Sequence, residues 1–176
     1  AIVGSDVSVG GNYSEAGGVS ANRLASFNTV TKSWSLLGSG ATNGANNTVS
    51  TLAIAGSDVY VGGHFTSVGG VSASHVARFN TTTHTWASLG SGAINGVSGI
   101  VHVIAIDRND VYVGGGFTAA GGVGATRRVA RFNTATQSWS SLGFGWPSEA
   151  AVYALAVSGN DVYVGAAISS AGGTTV

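Results

Sequence analysis

Three polar side chains stand at nearly equal spacing along this 176-residue chain and could bind a ligand. Arg23, His75 and Arg128 each precede a short apolar segment that ends in Phe-Asn, and Arg127 forms an insertion beside the last of them. Arginine and histidine next to glycine-rich backbone can bind hydroxyl groups or a carboxylate. We therefore count these four residues as ligand-binding candidates, with solvated loop polarity as the competing interpretation.

A second variable position directly follows a pair of glycines. It holds Asn12 in the first copy and His64 in the second, whereas the later copies have glycine or alanine. Asn95 and Trp146 are further candidates, because they lie in segments that differ most between copies, and binding residues concentrate in such loops. Trp146, within "FGWPSE", is the only tryptophan outside the repeated Trp position. It is either an exposed ring that stacks on a sugar or a hydrophobic plug.

The other titratable residues predict neither catalysis nor a metal site. The four histidines occupy different positions of the repeat, and no two are spaced as metal ligands. The two glutamates, Glu15 and Glu149, are far apart in the repeat, so no carboxylate pair for glycoside hydrolysis is expected. Calcium needs several clustered oxygens, and we interpret four isolated aspartates as turn residues: Asp6, Asp58, Asp110 and Asp161. The chain has no cysteine. We predict no catalytic residue, no metal and no cofactor.

The charge and composition of the chain limit its partners and its location. Only 8% of the residues are charged, and seven basic side chains balance seven acidic ones. Without a basic stripe, binding to nucleic acid is not expected, and no apolar run approaches the roughly 20 residues of a membrane span. A Thr/Ser/Asn/Gly-rich, cysteine-free composition favours an extracellular or cell-surface location. Because neither a signal peptide nor an initiator methionine is present, we expect a mature product or part of a longer protein.

A repeat of about 52 residues must position these side chains. Its first half is "DVYVGGHFTSVGG" at 58–70, which recurs at 6–18, at 110–122 and in altered form at 161–173. Its second half is "VARFNTTTHTW", which ends at Trp86 and has counterparts that end at Trp34 and Trp139. We predict one repeat domain over 1–176, with approximate units at 1–48, 49–100 and 101–151 and a partial unit at 152–176.

Each unit contains four predicted strands, a to d. Strand a is a nearly continuous apolar run such as "VHVIAI" at 101–106, and a tight turn with Asp or Asn leads to strand b, "VYVGG". Strand c is "VARF", and strand d begins at the tryptophan. No segment has a convincing 3.6-residue apolar period, so helices should be nearly absent. Repeated units of four antiparallel strands predict an all-β fold of β-propeller-type blades.

The paired glycines after strand b and the Phe-Asn…Trp spacing resemble the kelch repeat over almost the whole chain. The resemblance departs at one point, because kelch Tyr-Asp is Phe-Asn here. It implies a scaffold in which glycines permit close backbone approach and aromatic rings fill the space between blades. The residues assigned to this scaffold are Gly10, Gly11, Phe27, Trp34, Gly62, Gly63, Phe79, Trp86, Gly114, Gly115, Phe132 and Trp139.

Three complete units and a fourth a–b half are fewer than the four to eight blades of a typical closed propeller. We therefore expect part of a larger propeller, or an open, stacked or strand-exchanging assembly with bare strand edges. By analogy with propellers, the b–c and d–a connections should share one face, where a protein or a glycan would bind. Self-association through the open blade edges is the other expected interaction.

These features predict a non-enzymatic secreted or surface repeat protein that acts by multivalent binding or by structural self-assembly. Low charge and zero net charge favour self-association. Two alternatives remain open. One is a carbohydrate-binding, lectin-like propeller that uses the Asn, His and Arg side chains of the loops together with Trp146. The other is the kelch-like, non-catalytic portion of a secreted oxidase or hydrolase.

Overall fold

The computed structural model describes residues 1–38, 43–91, 95–124, 126–143, 151–167, 170–171 and 174–175. Within these ranges the backbone forms strands, turns and bends, and no helix occurs that could cross a membrane. In chain order the strands are β1 (Ile2–Val3), β2 (Asp6–Gly10), β3 (Glu15–Ala16), β4 (Val19–Ser20), β5 (Leu24–Asn28), β6 (Ser33–Leu36), β7 (Val49–Ala55), β8 (Asp58–Gly63), β9 (Ser67–Val68), β10 (Val71–Ser72), β11 (Val76–Asn80), β12 (Thr85–Ser88), β13 (Val101–Asp107), β14 (Asp110–Gly115), β15 (Val129–Asn133), β16 (Ser138–Ser141), β17 (Val152–Ser158), β18 (Asp161–Ala166), β19 (Ser170–Ala171) and β20 (Thr174–Thr175).

Twelve of these strands form three four-stranded antiparallel sheets, which we call blades I, II and III. Blade I has the strand order β1-β2-β5-β6, blade II β7-β8-β11-β12 and blade III β13-β14-β15-β16. Strands β17 and β18 pair in the same way as the first two strands of blades II and III, and we call them half-blade IV. The predicted all-β fold of propeller-type blades is therefore confirmed. The exact unit boundaries stay a prediction.

The predicted aromatic pairs lie directly opposite each other on strands c and d. Phe79 of β11 is the cross-strand partner of Trp86 of β12, with ring centroids 5.0 Å apart. Blades I and III repeat this arrangement at 5.1 Å with the pairs Phe27–Trp34 and Phe132–Trp139. Tilted aromatic pairs at this distance contribute beyond the area that they bury. The spacing between Phe and Trp therefore follows from a hairpin that sets the two rings side by side.

The asparagine after each Phe closes the c–d turn and also bonds to the aspartate at the start of strand b. The Oδ1 atom of Asn80 accepts hydrogen bonds from the backbone N–H groups of Thr82 and Thr83, at 3.0 and 2.9 Å, and closes the c–d turn. Its Nδ2 donates to Oδ1 of Asp58 at 2.7 Å. An amide can accept at the turn and donate to a carboxylate at the same time, whereas an ionised aspartate at this position could only accept. Blades I and III make the same bonds through Asn28 and Asn133.

Short hairpins inside the b–c connections were not predicted from the sequence. Strands β3 and β4 pair within the connection of blade I, and β9 and β10 pair within that of blade II. Each strand has only two residues, which is too short to show an alternating pattern. In blade III the equivalent segment has an isolated bridge between Ala120 and Val123. The glycine-rich b–c connections are thus ordered turns rather than open loops.

Successive blades pack through the glycines of strand b. A Cβ atom on Gly62 would approach the Val101 side chain of the next blade closer than van der Waals contact allows. Gly10 faces Val49, and Gly114 faces Val152, in the same way. These valines are fully or nearly fully buried. The first glycine of each pair therefore lets strand a of the next blade lie close against strand b.

The tryptophan of strand d joins each blade to the preceding one. Nε1 of Trp139, in blade III, donates to the carbonyl oxygen of Leu89, in blade II, at 3.0 Å. Trp86 makes the corresponding bond to Leu37 of blade I at 3.4 Å. The repeated tryptophan thus supplies both buried apolar area and a hydrogen bond between blades.

Candidate functional site

The b–c and d–a connections meet at one end of the blades, which we call the loop face. Asn46, in the d–a connection after blade I, accepts hydrogen bonds at Oδ1 from the backbone N–H groups of Thr66 and Ser67 in the b–c connection of blade II. On the other side of the same connection, Ala45 donates its N–H to the carbonyl oxygen of Asn22 in blade I. This d–a connection therefore bridges the b–c connections of two neighbouring blades.

Arg23, His75 and Arg128 occupy the same backbone position on the loop face. All three are in the left-handed region, with φ of 73°, 65° and 72°. Their carbonyl oxygens accept hydrogen bonds from the second glycine of each pair, Gly11, Gly63 and Gly115, at 3.1, 3.0 and 2.9 Å. The alignment made from the sequence therefore places these three candidates correctly with respect to one another.

Each of these side chains has a buried nitrogen that finds no hydrogen-bond partner among the described residues. The atoms are Nε of Arg23, Nδ1 of His75 and Nε of Arg128. In blade I, Nη1 of Arg23 donates to the carbonyl oxygen of Ala45 at 3.0 Å, so the guanidinium is only partly satisfied. Buried polar groups in folded proteins are nearly always paired, and an exception calls for an explanation such as a bound water or ligand.

Burial also alters the protonation of His75. It lowers the pKa of the imidazole below the ordinary value, and the charge of His64 lowers it further, whereas the nearby Gly63 backbone opposes this change. Burial and His64 lower the pKa of His102 in the same direction. The neutral form of both rings is therefore favoured, and a neutral imidazole can both donate and accept a hydrogen bond.

A polar groove of about 340 Å³ lies on the loop face between blades I and II. Its chemistry is that of guanidinium, amide, hydroxyl and backbone groups, contributed by Arg23, Asn22, Asn43, Asn46, Ser67 and the glycines beside them. None of the described residues that line it is aromatic. Such a groove suits a ligand with several hydroxyl or carboxylate oxygens.

Asn95, a predicted ligand-binding residue, is used to hold the loop face together. Its Nδ2 donates to the carbonyl oxygen of Ser72, and its Oδ1 accepts from the hydroxyl of Ser74 at 3.1 Å. Asn43 makes equivalent bonds in blade I, to the carbonyl oxygen of Ser20 and to Nδ2 of Asn22. The structure thus places Asn95 as a bridge between two connections.

The remaining sequence candidates are distributed around the loop face. Asn12, His64 and Arg127 are exposed, and their side chains make no hydrogen bond within the described part of the chain. Trp146 lies outside the described residues. The loop face therefore brings Arg23, His75 and Arg128 into equivalent positions, with Asn12 and His64 at its exposed edge.

Two features of the inner strands and blade faces were missed from the sequence. Strand a of each later blade has a bulge, at Ser50, His102 and Tyr153, and the rings of His102 and Tyr153 stack at 4.9 Å. A second cavity lies between blades I and II beside Ser8 and Ser26. The sequence did indicate this cavity, because "DVSV" and "LASF" have serine where later copies have the larger Tyr and Arg.

The acidic residues and histidines do not form a metal site in the described part of the chain. Among the described residues, no group of three His, Cys, Asp or Glu side chains could hold a metal ion. Asp6, Asp58 and Asp110 each accept a hydrogen bond from an asparagine of strand c, as expected for turn residues. Glu149 lies outside the described residues.

A comparison with protein families agrees with this architecture. A family model described as the Rax2 C-terminal beta propeller domain matches residues 39–174, which is most of the chain. No match to a curated protein was found.

Proposed function

Since the chain belongs to the family of the Rax2 C-terminal beta propeller domain, we propose that it is a non-enzymatic repeat domain, secreted or exposed at the cell surface, that acts by multivalent binding. Propellers carry many unrelated activities, so the proposal depends on the loop face rather than on the fold. Partners with repeated epitopes would gain avidity from similar weak sites on successive blades.

The observation that carries the proposal is the repeated position of Arg23, His75 and Arg128. A left-handed backbone costs a non-glycine residue roughly 1–2 kcal/mol, and glycine would occupy it without this cost. The chain nevertheless has a long cationic or imidazole side chain there in three blades, each with an unpaired buried nitrogen. Strain and unpaired polar groups of this kind are typical of binding sites.

A lectin-like function is the closest alternative for the same site. The polar groove between blades I and II offers nitrogen donors and hydroxyls suited to sugar hydroxyl groups. An aromatic stacking surface would have to come from Trp146 or from a neighbouring loop. A third alternative is that the chain is the kelch-like, non-catalytic portion of a secreted oxidase or hydrolase. The di-glycine and the Phe–Trp pairs support the kelch-like character of the repeat.

Structural self-assembly is a second candidate, favoured by the exposed face of half-blade IV. Tyr163 is 59% exposed, whereas its counterparts Tyr60 and Tyr112 in blades II and III are 2% and 8% exposed beneath the next blade. Within the described residues, strand β18 pairs with β17 alone. Light scattering at high protein concentration tests this candidate, and a monodisperse monomer would contradict it.

Printed arrays of glycans and of cell-surface proteins test the binding proposal. The protein would be applied as a monomer and as a streptavidin-linked tetramer, and we expect the tetramer to bind much more strongly. The variant R23N/H75N/R128N should lose this binding, since asparagine tolerates the left-handed backbone but removes the long side chains. The matched control is K32N/H84N/Q137N, whose positions have φ of 54–55° in the c–d turns at the opposite end of the blades.

The outcomes separate the alternatives. Binding to glycans alone supports the lectin-like function, and a glycan array without signal rules it out. Equal binding by the wild-type chain and R23N/H75N/R128N would show that the loop-face residues are not the site.

A further inference from the structure

The cavity beside Ser8 and Ser26 is an enlarged copy of a small one between the next two blades. The cavity between blades I and II has a volume of about 280 Å³, and the one between blades II and III about 30 Å³. Their walls correspond position by position: Leu37 to Leu89, Phe79 to Phe132, Thr81 to Thr134 and His84 to Gln137. The two junctions are therefore built alike, and the difference in volume must come from particular side chains.

Two substitutions within the repeat account for the extra space. In blade II, Tyr60 and Arg78 are cross-strand partners and fill the junction with blade III. The equivalent partners in blade I are Ser8 and Ser26. A phenol ring and a guanidinium are thus replaced by two small hydroxymethyl groups, which leaves a larger space at the same place.

The same substitution leaves a carboxylate without its cation. Arg78 forms an ion pair with Asp58 at 3.3 Å, and Arg131 forms one with Asp110 at 3.6 Å. In blade I the equivalent Asp6 lines the cavity, and position 26 offers it no arginine. Oδ1 of Asp6 accepts from Asn28 at 2.7 Å, as in the other blades, but Oδ2 has no partner within the described residues.

The walls of the cavity complement a flat cation with an apolar body. Phe79 and Leu37 are buried and supply apolar surface, and the exposed His84 also lines the cavity. The hydroxyls of Ser8 and Ser26 make no hydrogen bond within the described part of the chain, so they are free to bind a ligand. A carboxylate beside an aromatic wall favours guanidinium over ammonium, since guanidinium is planar, weakly hydrated and binds carboxylates through two parallel hydrogen bonds.

We propose that this cavity, which we call the Ser8–Ser26 cavity, binds a small ligand with a guanidinium or amidinium group, held by Asp6, with an aromatic or alkyl body against Phe79. The ring and the cation of the ligand would fill the space that the phenol ring of Tyr60 and the guanidinium of Arg78 fill in blade II. The cavity lies between blade faces and not among the loop-face residues, so this inference is independent of the proposed function.

Titration of the ¹⁵N-labelled protein with benzamidinium, followed by NMR, tests the inference. Benzamidinium has a ring and a planar cation, and we expect saturable shifts at residues around the cavity with a dissociation constant on the order of 1 mM. Neutral benzamide, which has nearly the same shape, should bind at least about tenfold more weakly, because it lacks the charge that pairs with Asp6.

Two variants locate the site. D6N keeps an acceptor for Asn28 but removes the charge, and it should weaken benzamidinium by about tenfold or more. S26R should abolish binding, because its own guanidinium would occupy the space and pair with Asp6. The matched control D161N changes the equivalent aspartate of half-blade IV, which does not line the cavity, and should leave binding unchanged.

Equal affinity for benzamidinium and benzamide, an unchanged affinity in D6N, or shifts that do not saturate would overturn the inference. If S26R does not fold, the comparison of D6N with D161N still decides it.

Discussion

At the residue scale, the position before strand c combines a left-handed backbone with a nitrogen held away from solvent. His75 is the member of this set whose charge can change near neutral pH. Burial lowers the pKa of its imidazole, mainly because the charged form loses hydration. Because His75 is partly buried on the loop face, the stability of the fold should depend on pH.

We expect the midpoint temperature of unfolding to fall as the pH is lowered from about 7.5 to about 5. A histidine whose pKa is lower in the folded than in the unfolded chain contributes stability that is complete above about pH 6.5 and is lost as the pH falls toward the folded pKa. The variant H75N should reduce this fall, and His102 should account for part of the remainder. Thermal unfolding across the pH range measures the effect.

His84 provides the matched control for this prediction. It is exposed and also has a left-handed backbone, with φ of 55°. H84N therefore makes the same change of residue type without removing a half-buried ring. If H75N and H84N gave the same pH profile, burial of His75 would not be its cause.

At the element scale, the glycines of the b–c connections shape the site of the strand-d tryptophan. A Cβ atom on Gly121, where φ is 54°, would overlap the Trp139 indole. Its neighbour Gly122 has φ of 80°, and a Cβ atom there would meet nothing within 4 Å. The two glycines therefore separate the cost of a left-handed backbone from the cost of crowding the tryptophan.

We expect G121A to be less stable than G122A by roughly 1–3 kcal/mol, the usual cost of overpacking a well-packed site. Both variants should lose about 1–2 kcal/mol to the left-handed backbone. Urea unfolding of the two variants and the wild-type chain measures the difference. Equal losses in free energy of unfolding would mean that Gly121 does not define the Trp139 site.

The sequence predicted elements better than it predicted contacts between them. The Phe79–Trp86 pair and the strand order follow from spacing, because a hairpin fixes which residues face each other. The equivalent positions of Arg23, His75 and Arg128 in the three blades also follow from spacing, because each residue directly precedes strand c. The role of Asn95 could not be predicted, since it depends on how two connections pack against each other. The cavity at Ser8 and Ser26 was missed, although the two serines stand where later copies have Tyr and Arg. The two-residue hairpins were missed because they are too short to carry a pattern.

At the scale of the whole molecule, three blades and a half-blade are joined by a repeated contact. Trp139 and Trp86 each donate to a carbonyl oxygen of the preceding blade. Trp34 of blade I packs against Gly17 of its own blade, but its indole nitrogen has no acceptor within the described residues. The repeated residues thus hold the blades in sequence, and the positions that differ between blades are available for binding.

Hydrogen exchange of the assigned indole N–H groups, measured by NMR, shows whether the tryptophans join successive blades. The indole N–H of Trp139 is buried and bonded to Leu89 at 3.0 Å, so it should exchange most slowly. Trp86, half-buried with a bond of 3.4 Å, should be intermediate, and Trp34 should exchange at close to the rate of an unprotected indole. Equal exchange rates for Trp34 and Trp139 would contradict the stacking of successive blades through their tryptophans.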